Sequence, residues 1–135
     1  MNVQWEHFDL TTLKKFRIES KDFDRYCVKK GDLLICEGGD VGRAAIWRDD
    51  SEMYYQNALH RVRFKAGIMP EFFLLVLQSY KISGKVDDVC SGVTIKHFTQ
   101  GAMRKLAFPL PPIKEQLRIV EIVSRTTSLL DNIIK

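Results

Sequence analysis

Residues 29–47 read KKGDLLICEGGDVGRAAIW, and this stretch decides the fold class. Two short apolar runs, at 32–36 and 43–47, lie on either side of a glycine-rich connection, which is the pattern of two strands joined by a hairpin. A third strand-like run, ALHRVRF at 58–64, follows a polar turn. Together the three runs predict a β-meander, in which strands pair in chain order.

The glycine-rich connection does not match a nucleotide-binding loop. A Walker-type loop ends in Gly-Lys-Ser or Gly-Lys-Thr, and it opens a helix, as the dinucleotide fingerprint also does. Here Gly42 is followed by RAAIW, another strand-like run. We therefore predict a hairpin connection in which Gly38, Gly39 and Gly42 take positive φ or allow close backbone approach.

This connection presents Asp40 and Arg43 at one end of the predicted sheet. Arginine and backbone N–H groups can bond DNA phosphates, and arginine can also bond the O6/N7 edge of guanine. A plain turn is the alternative for a glycine-rich hairpin that carries one arginine, and the residues leave both open.

Composition narrows the class of protein. A chain of 135 residues suits one domain, and its net charge of +4 favours a polyanionic partner without establishing one. The three cysteines have no CxxC spacing, so they predict neither disulfides nor zinc and favour the reducing cytoplasm. The longest apolar run, FFLLVL at 72–77, is too short for a membrane span, so no membrane partner is expected.

Groups suited to catalysis are sparse in this sequence. The histidines are spread along the chain without nearby ligand residues, and no nucleophile motif is present. We therefore expect no catalytic residues, no metal site and no cofactor. A cluster assembled from scattered Asp and Glu residues stays open as an unfavoured alternative.

Two segments carry side chains suited to reading DNA bases. Amides pair with adenine and arginine with guanine, and YQNALHRVRF at 55–64 contains both. The second segment, GVTIKHF at 92–98, begins with a glycine and carries further polar and basic side chains. The candidate residues are Gln56, Asn57, His60, Arg61 and Arg63 in the first segment, and Thr94, Lys96 and His97 in the second. Strand alternation places Arg61 and Arg63 on one face and His60 on the other, and ordinary polar faces of half-exposed strands remain the alternative.

The C-terminal segment 113–135 has helical periodicity. One apolar row steps by three or four residues, and a second row, through Ile119 and Ile122, runs beside it. The first row includes Ile113, Leu117, Val120, Val123, Leu130 and Ile134. So wide a stripe predicts a helix that packs against its own domain and a second helix, or against two partner helices. The alternative is a core helix folded wholly back onto the body.

The order of these pieces resembles the target recognition domain of the specificity subunit of type I restriction-modification systems. The most specific match is SGVTIKHFTQGAMRKLAFPLPPIKEQLRIVEIV at 91–123. It contains, in order, a TI-containing turn, a short helix, a strand-like segment ending PLPP, and an EQ pair at the start of a long helix. The other matching stretches are 29–47, YQNALHRVRF and MPEFFLLVLQSY.

The resemblance implies a non-catalytic subunit. In that family each recognition domain reads one half of a split DNA target, and long helices pair into a coiled-coil-like spacer. The helices also bind modification subunits that methylate adenine using S-adenosylmethionine, and the complex recruits an ATP-driven restriction subunit. Family members normally carry several tens of residues before the region where this chain begins, so the resemblance implies an N-terminally truncated domain.

The sequence therefore predicts an α+β protein with a small mixed or antiparallel sheet, packed helices and a long C-terminal helix. Residues 1–111 form the recognition domain and 112–135 the helix for dimerisation and methyltransferase docking. The loops and strand ends at 37–43, 56–63 and 94–97 are expected to face double-stranded DNA. With one recognition unit the chain is expected to pair with a second copy or with another specificity chain. The alternative is an assembly module that dimerises through its helix without binding DNA.

Overall fold

The computed structural model describes residues 2–134, which form two small antiparallel sheets and five α-helices within that range. The strands are β1 (Cys27–Val28), β2 (Leu33–Cys36), β3 (Ala44–Ile46), β4 (Met53–Tyr54) and β5 (Leu59–Val62). The helices are α1 (Phe23–Tyr26, after a 3-10 turn at Ser20–Asp22), α2 (Pro70–Ile82), α3 (Lys85–Val89), α4 (Gln100–Met103) and α5 (Ile113–Ile134). The α+β class predicted from the sequence is confirmed. The predicted last residue of the long helix, Lys135, lies outside the described residues.

The main sheet has the order β3-β2-β5, and both pairings are antiparallel. The predicted meander, which would place β3 in the centre, is therefore wrong. The segment between β3 and β5 contains β4, which pairs with β1 and carries the chain to the other side of β2. As a result the most apolar strand takes the central position, where all four of its residues are buried.

Both faces of β2 are covered, which explains its unbroken apolar run. Leu33 and Ile35 belong to a core with residues of α2, α3 and α4. Leu34 and Cys36 belong to a second core on the opposite face, which includes Trp47 and is closed by the N-terminal segment. Because successive side chains of a strand point to opposite faces, a strand between two cores needs apolar residues at every position.

Helix α2 begins at Pro70, and it buries Phe72, Leu74 and Leu77. Proline suits this first position because its missing N–H would have no partner inside the helix. The predicted strand at 107–112, AFPLPP, is wrong, because these residues form no ladder. Three of its six residues are prolines, which cannot donate a ladder hydrogen bond.

Helix α5 packs against α2 through its first turns, and its buried residue is Gln116. From Glu121 to Ile134 every residue is exposed. A helix of 22 residues is about 33 Å long, so it extends beyond the small body on which it begins. The alternative of a core helix folded wholly onto its own domain is therefore wrong.

Candidate nucleic-acid interface

Three of the segments expected to face DNA meet at one end of the main sheet. The N–H of Glu37, directly after β2, donates to the carbonyl oxygen of Ala58 over 3.1 Å, and the carbonyl of Glu37 accepts from the N–H of Phe98 over 2.8 Å. These two bonds join the loops at 37–43, 56–58 and 91–99. We call this region the sheet end, and it contains the candidate residues that lie on loops.

The glycine-rich loop closes as a hairpin. The N–H of Cys36 donates to the carbonyl of Arg43 over 2.8 Å, and that of Gly42 donates to the carbonyl of Cys36 over 3.0 Å. Gly42 has a φ of 83°, and a Cβ there would lie 3.0 Å from the Val86 Cγ1 atom, so both backbone and packing favour glycine. Gly39 also has positive φ, as expected.

Two residues of this loop differ from the expectation. Gly38 does not have positive φ, and a Cβ there would make an ordinary contact of 3.8 Å with the His97 ring, so the backbone does not require glycine. Arg43 is half-buried and interacts with the Cys36 thiol at the base of the hairpin. Burial raises the pKa of Cys36, and the hydrogen bond and charge of Arg43 partly oppose that rise. Arg43 therefore stabilises the base of the hairpin.

The segment 91–97 is a narrow hairpin whose tip is exposed. Ser91 and His97 exchange backbone hydrogen bonds of 3.1 and 2.8 Å. Gly92 has a φ of 96°, and a Cβ there would lie 2.1 Å from the Ile95 carbonyl oxygen, so the tight turn excludes a side chain. The tip displays Thr94 in solvent between two exposed apolar side chains, those of Val93 and Ile95.

Lys96 and Asp40 belong to a surface ion network at the rim of the sheet end. Lys96 Nζ lies 3.2 Å from an oxygen of Asp87, and Lys81 Nζ lies 3.4 Å from Asp87 and 3.5 Å from Asp40. Burial alone would raise the pKa of Asp87, but the hydrogen bonds and charges of Lys96 and Lys81 outweigh it and lower the pKa below 3.8. The charge of Lys96 is thus partly compensated within the protein.

The turn before β5 exposes Gln56 and Asn57, and the strand itself turns His60 inward. Asn57 Oδ1 accepts from the Tyr26 hydroxyl over 2.9 Å, which leaves its amide nitrogen available. His60 Nε2 lies 2.7 Å from the Phe98 carbonyl oxygen and 3.9 Å from Glu37. A carbonyl oxygen only accepts, so this nitrogen carries the hydrogen. His60 therefore joins β5 to the hairpin segment.

Arg61 and Arg63 are used by the fold itself. The Arg61 guanidinium donates to the carbonyl oxygens of Asp24 and Cys27. Arg63 forms two parallel bonds to the carboxylate of Asp32, of 2.7 and 2.6 Å, and Asp32 is 1% exposed. The register places Arg61 opposite Leu34 and His60 opposite Ile35, so the predicted alternation of faces is confirmed. The expectation that these two arginines read bases is not supported by these contacts.

Sequence reasoning missed an open groove along the free edge of β5. Its volume is about 840 Å³ and it runs from the sheet end to residues near α4. We call it the edge groove. Its cationic lining side chains are Arg25, Arg61, Arg63, Lys65 and Arg104. The signal in the sequence was the run of positive charges at 61, 63 and 65, which begins in β5 and continues just beyond its end.

The apolar stripe of α5 is largely exposed. Ile113, Leu117 and Val123 are 48%, 46% and 37% exposed, and Val120 is half-buried. Toward the C-terminus the exposure of the stripe rises further, to 52% at Leu130 and 81% at Ile134. An apolar surface of this length without cover within residues 2–134 is typical of a helix that packs on a partner.

Residues 2–134 contain no group of three or more His, Cys, Asp or Glu side chains placed to bind a metal ion. Within the same range, none of the helices has the length and apolar character needed to cross a membrane. These observations add no further site to the sheet end, the edge groove and the α5 stripe.

Comparison with protein families gives a match over residues 12–135 to the type I restriction modification DNA specificity domain. The chain belongs to this family. The specificity-domain match covers both the sheet end and α5, so the two features described above are parts of one family domain.

Curated relatives agree with this assignment. The chain is 28% identical over 105 residues to a putative type I restriction enzyme specificity subunit of Haemophilus influenzae, covering 78% of this chain and 26% of that protein. It is 29% identical over 130 residues to the type I restriction enzyme EcoBI specificity subunit of Escherichia coli, covering 94% of this chain and 27% of that protein. The chain thus spans about a quarter of the length of these two relatives.

A solved structure shares the fold. A chain from a study of complex assembly and conformational transition in the type I restriction-modification system aligns with a TM-score of 0.66 and 20% identity. The alignment covers 80% of this chain and 26% of that chain. The two chains therefore share this fold.

Proposed function

We propose that this specificity domain recognises DNA sequence for a type I restriction-modification system and has no catalytic activity of its own. The observation that carries the proposal is the convergence at the sheet end of exposed loops that carry Gln56, Asn57 and Thr94. In a chain of the specificity-domain family, polar side chains on loops held by a rigid sheet suit contacts to base edges.

The α5 stripe supports a second part of the proposal, which concerns assembly. We infer that the stripe pairs with a second copy of this chain or with another specificity chain, and that the helix docks an adenine methyltransferase subunit. A restriction and translocation subunit would join the same complex. All of these proteins act in the cytoplasm, where the free thiols of Cys27, Cys36 and Cys90 would stay reduced. The domain needs no cofactor for this role.

Selection from a pool of randomised duplexes tests sequence recognition. The full chain, with and without the methyltransferase subunit of its system, is incubated with the pool at low salt, and the bound fraction is sequenced. Enrichment of a defined sequence is expected. A bound fraction as random as the input, or no bound fraction under either condition, would reject the proposal.

Variants of the sheet end locate the reading surface. Gln56→Ala and Thr94→Ala should each relax the preference at particular positions, because one base contact is worth about 1–3 kcal/mol of discrimination. Thr12→Ala, an exposed threonine distant in sequence from the sheet end, is the matched control. If all three variants select the same sequence as the unmodified chain, base reading at the sheet end is disproved.

A further inference from the structure

We propose that the edge groove binds the sugar-phosphate backbone of the duplex whose bases face the sheet end. This inference rests on the proposed function and adds a second surface to it. The sheet end would select sequence, and the edge groove would supply affinity that does not depend on sequence.

The charge of the groove favours a polyanion. Five cationic side chains line it, and among the described residues Glu37 supplies its one lining carboxylate. The carboxylate of Asp32 neutralises the charge of Arg63. The groove lining still keeps a net positive charge, in a chain whose total net charge is +4. Cations from three different parts of the chain are therefore gathered around this one groove.

The remaining cations are available to a ligand. The Arg61 guanidinium is fixed by two carbonyl oxygens and lies over the Tyr55 ring at 5.8 Å, so it is held in place while its charge stays uncompensated. Arg25, Lys65 and Arg104 are exposed, and within residues 2–134 none of them forms an ion pair with a carboxylate. A groove lined by several cations without carboxylate partners suits the regularly spaced charges of a nucleic-acid backbone.

The position of the groove favours DNA over an acidic peptide. Glu37 and Asn57 belong both to the lining of the groove and to the sheet end, and His60 of the groove lining bonds the Phe98 carbonyl oxygen of the sheet end, so one ligand can occupy both surfaces. A second, smaller groove adjoins it at Asn57, but its lining sets the carboxylates of Glu19 and Asp22 against one cation, Arg17, so it adds no positive charge to this path. The carboxylate of Glu37 repels phosphates, so we place the backbone nearer Lys65 and Arg104.

Two double variants with equal charge change test this assignment. Lys65→Ala/Arg104→Ala removes two groove cations, and Lys29→Ala/Lys105→Ala removes two exposed lysines that do not line the groove. Arg61 and Arg63 are left intact because the fold uses them. The binding of a fluorescein-labelled duplex of random sequence to the full chain, with its methyltransferase subunit, is measured by anisotropy between about 50 and 200 mM salt.

The groove variant should bind more weakly, and its plot of log affinity against log salt concentration should be shallower by about 2, since each lost phosphate contact removes about 0.9. The control variant should keep the slope of the unmodified complex. Both should select the same sequence from the randomised pool and unfold at unchanged urea concentrations, because the replaced side chains are exposed.

Equal slopes for the two double variants would overturn the groove assignment while the proposed function stands, provided that sequence selection persists. A labelled polyglutamate peptide that binds the unmodified complex and loses binding with the groove variant, at unchanged duplex affinity, would also overturn it and indicate an acidic protein partner. Failure of the unmodified complex to bind any duplex would reject both proposals.

Discussion

At the scale of single residues, Asp32 shows how this fold uses its charges. The carboxylate is buried at the start of the central strand, where it accepts two bonds from Arg63 and one from the Lys29 N–H over 2.7 Å. A buried carboxylate without partners would be strongly unfavourable, so the pair ties the end of β5 to the start of β2. Arg63, which the sequence suggested as a base-reading residue, therefore has a structural role.

We predict that Arg63→Ala destabilises the chain by about 2 kcal/mol, below the range for a fully buried ion pair, because the Lys29 N–H remains and the Arg63 side chain is 45% exposed. Lys30→Ala is the control, since its pair with Asp50 is exposed and worth about 0–1 kcal/mol. Urea unfolding followed by circular dichroism measures both. A difference below about 0.5 kcal/mol between the variants would contradict the structural role of Arg63.

At the scale of elements, the start of α5 is fixed by one side chain. Gln116 is fully buried, and its Oε1 accepts from the Met69 N–H over 2.9 Å. Its Nε2 donates to the carbonyl oxygens of Gly67 and Pro111 over 2.8 and 2.9 Å. An amide is the side chain that offers one acceptor and two donors in this geometry. The bonds join α5 to the segment that opens α2.

Gln116→Leu should lower the free energy of unfolding by about 2 kcal/mol, because backbone groups at 67, 69 and 111 lose their partner. Gln116→Glu should be at least as harmful, since a carboxylate cannot donate to the two carbonyls. The control is Gln78→Leu, whose amide bonds the exposed Glu6 side chain over 2.8 Å and should matter little. If the substitutions at both sites have equal effects in urea unfolding, Gln116 is not an anchor.

At the scale of the whole molecule, the domain consists of a body with two cores and a helix that extends away from the body. The body is held by cores on both faces of the main sheet, whereas the second half of α5 has no tertiary cover among the described residues. Short helical segments without tertiary packing are marginal in water. The stability of the second half of α5 is therefore expected to depend on a partner.

Hydrogen-deuterium exchange of the full chain tests this separation. Amides of 121–134 should exchange much faster than those of α2 at low protein concentration, because local opening costs little where nothing packs. Their protection should rise with protein concentration or when the methyltransferase subunit is added. Equal protection of the two helices at every dilution would show that α5 is stable without a partner.

The sequence by itself determined the elements whose signal is local. Unbroken apolar runs gave β2 and β3, Pro70 marked the start of α2, and the three-to-four-residue period of 113–134 gave a helix with an apolar stripe. These features depend on neighbours within a few positions along the chain, so periodicity and backbone chemistry are sufficient to predict them.

The tertiary structure decided strand order and the use of each charge. Pairing of β5 with β2 depends on contacts between residues far apart in the chain, from Cys36 with Leu59 to Leu33 with Val62, which no local pattern encodes. The same pairing sets Arg63 beside a buried carboxylate and leaves Lys65 in an open groove, although both are cations two positions apart. A charged side chain is structural or available to a ligand according to what the fold brings next to it, and residue type alone does not carry that information.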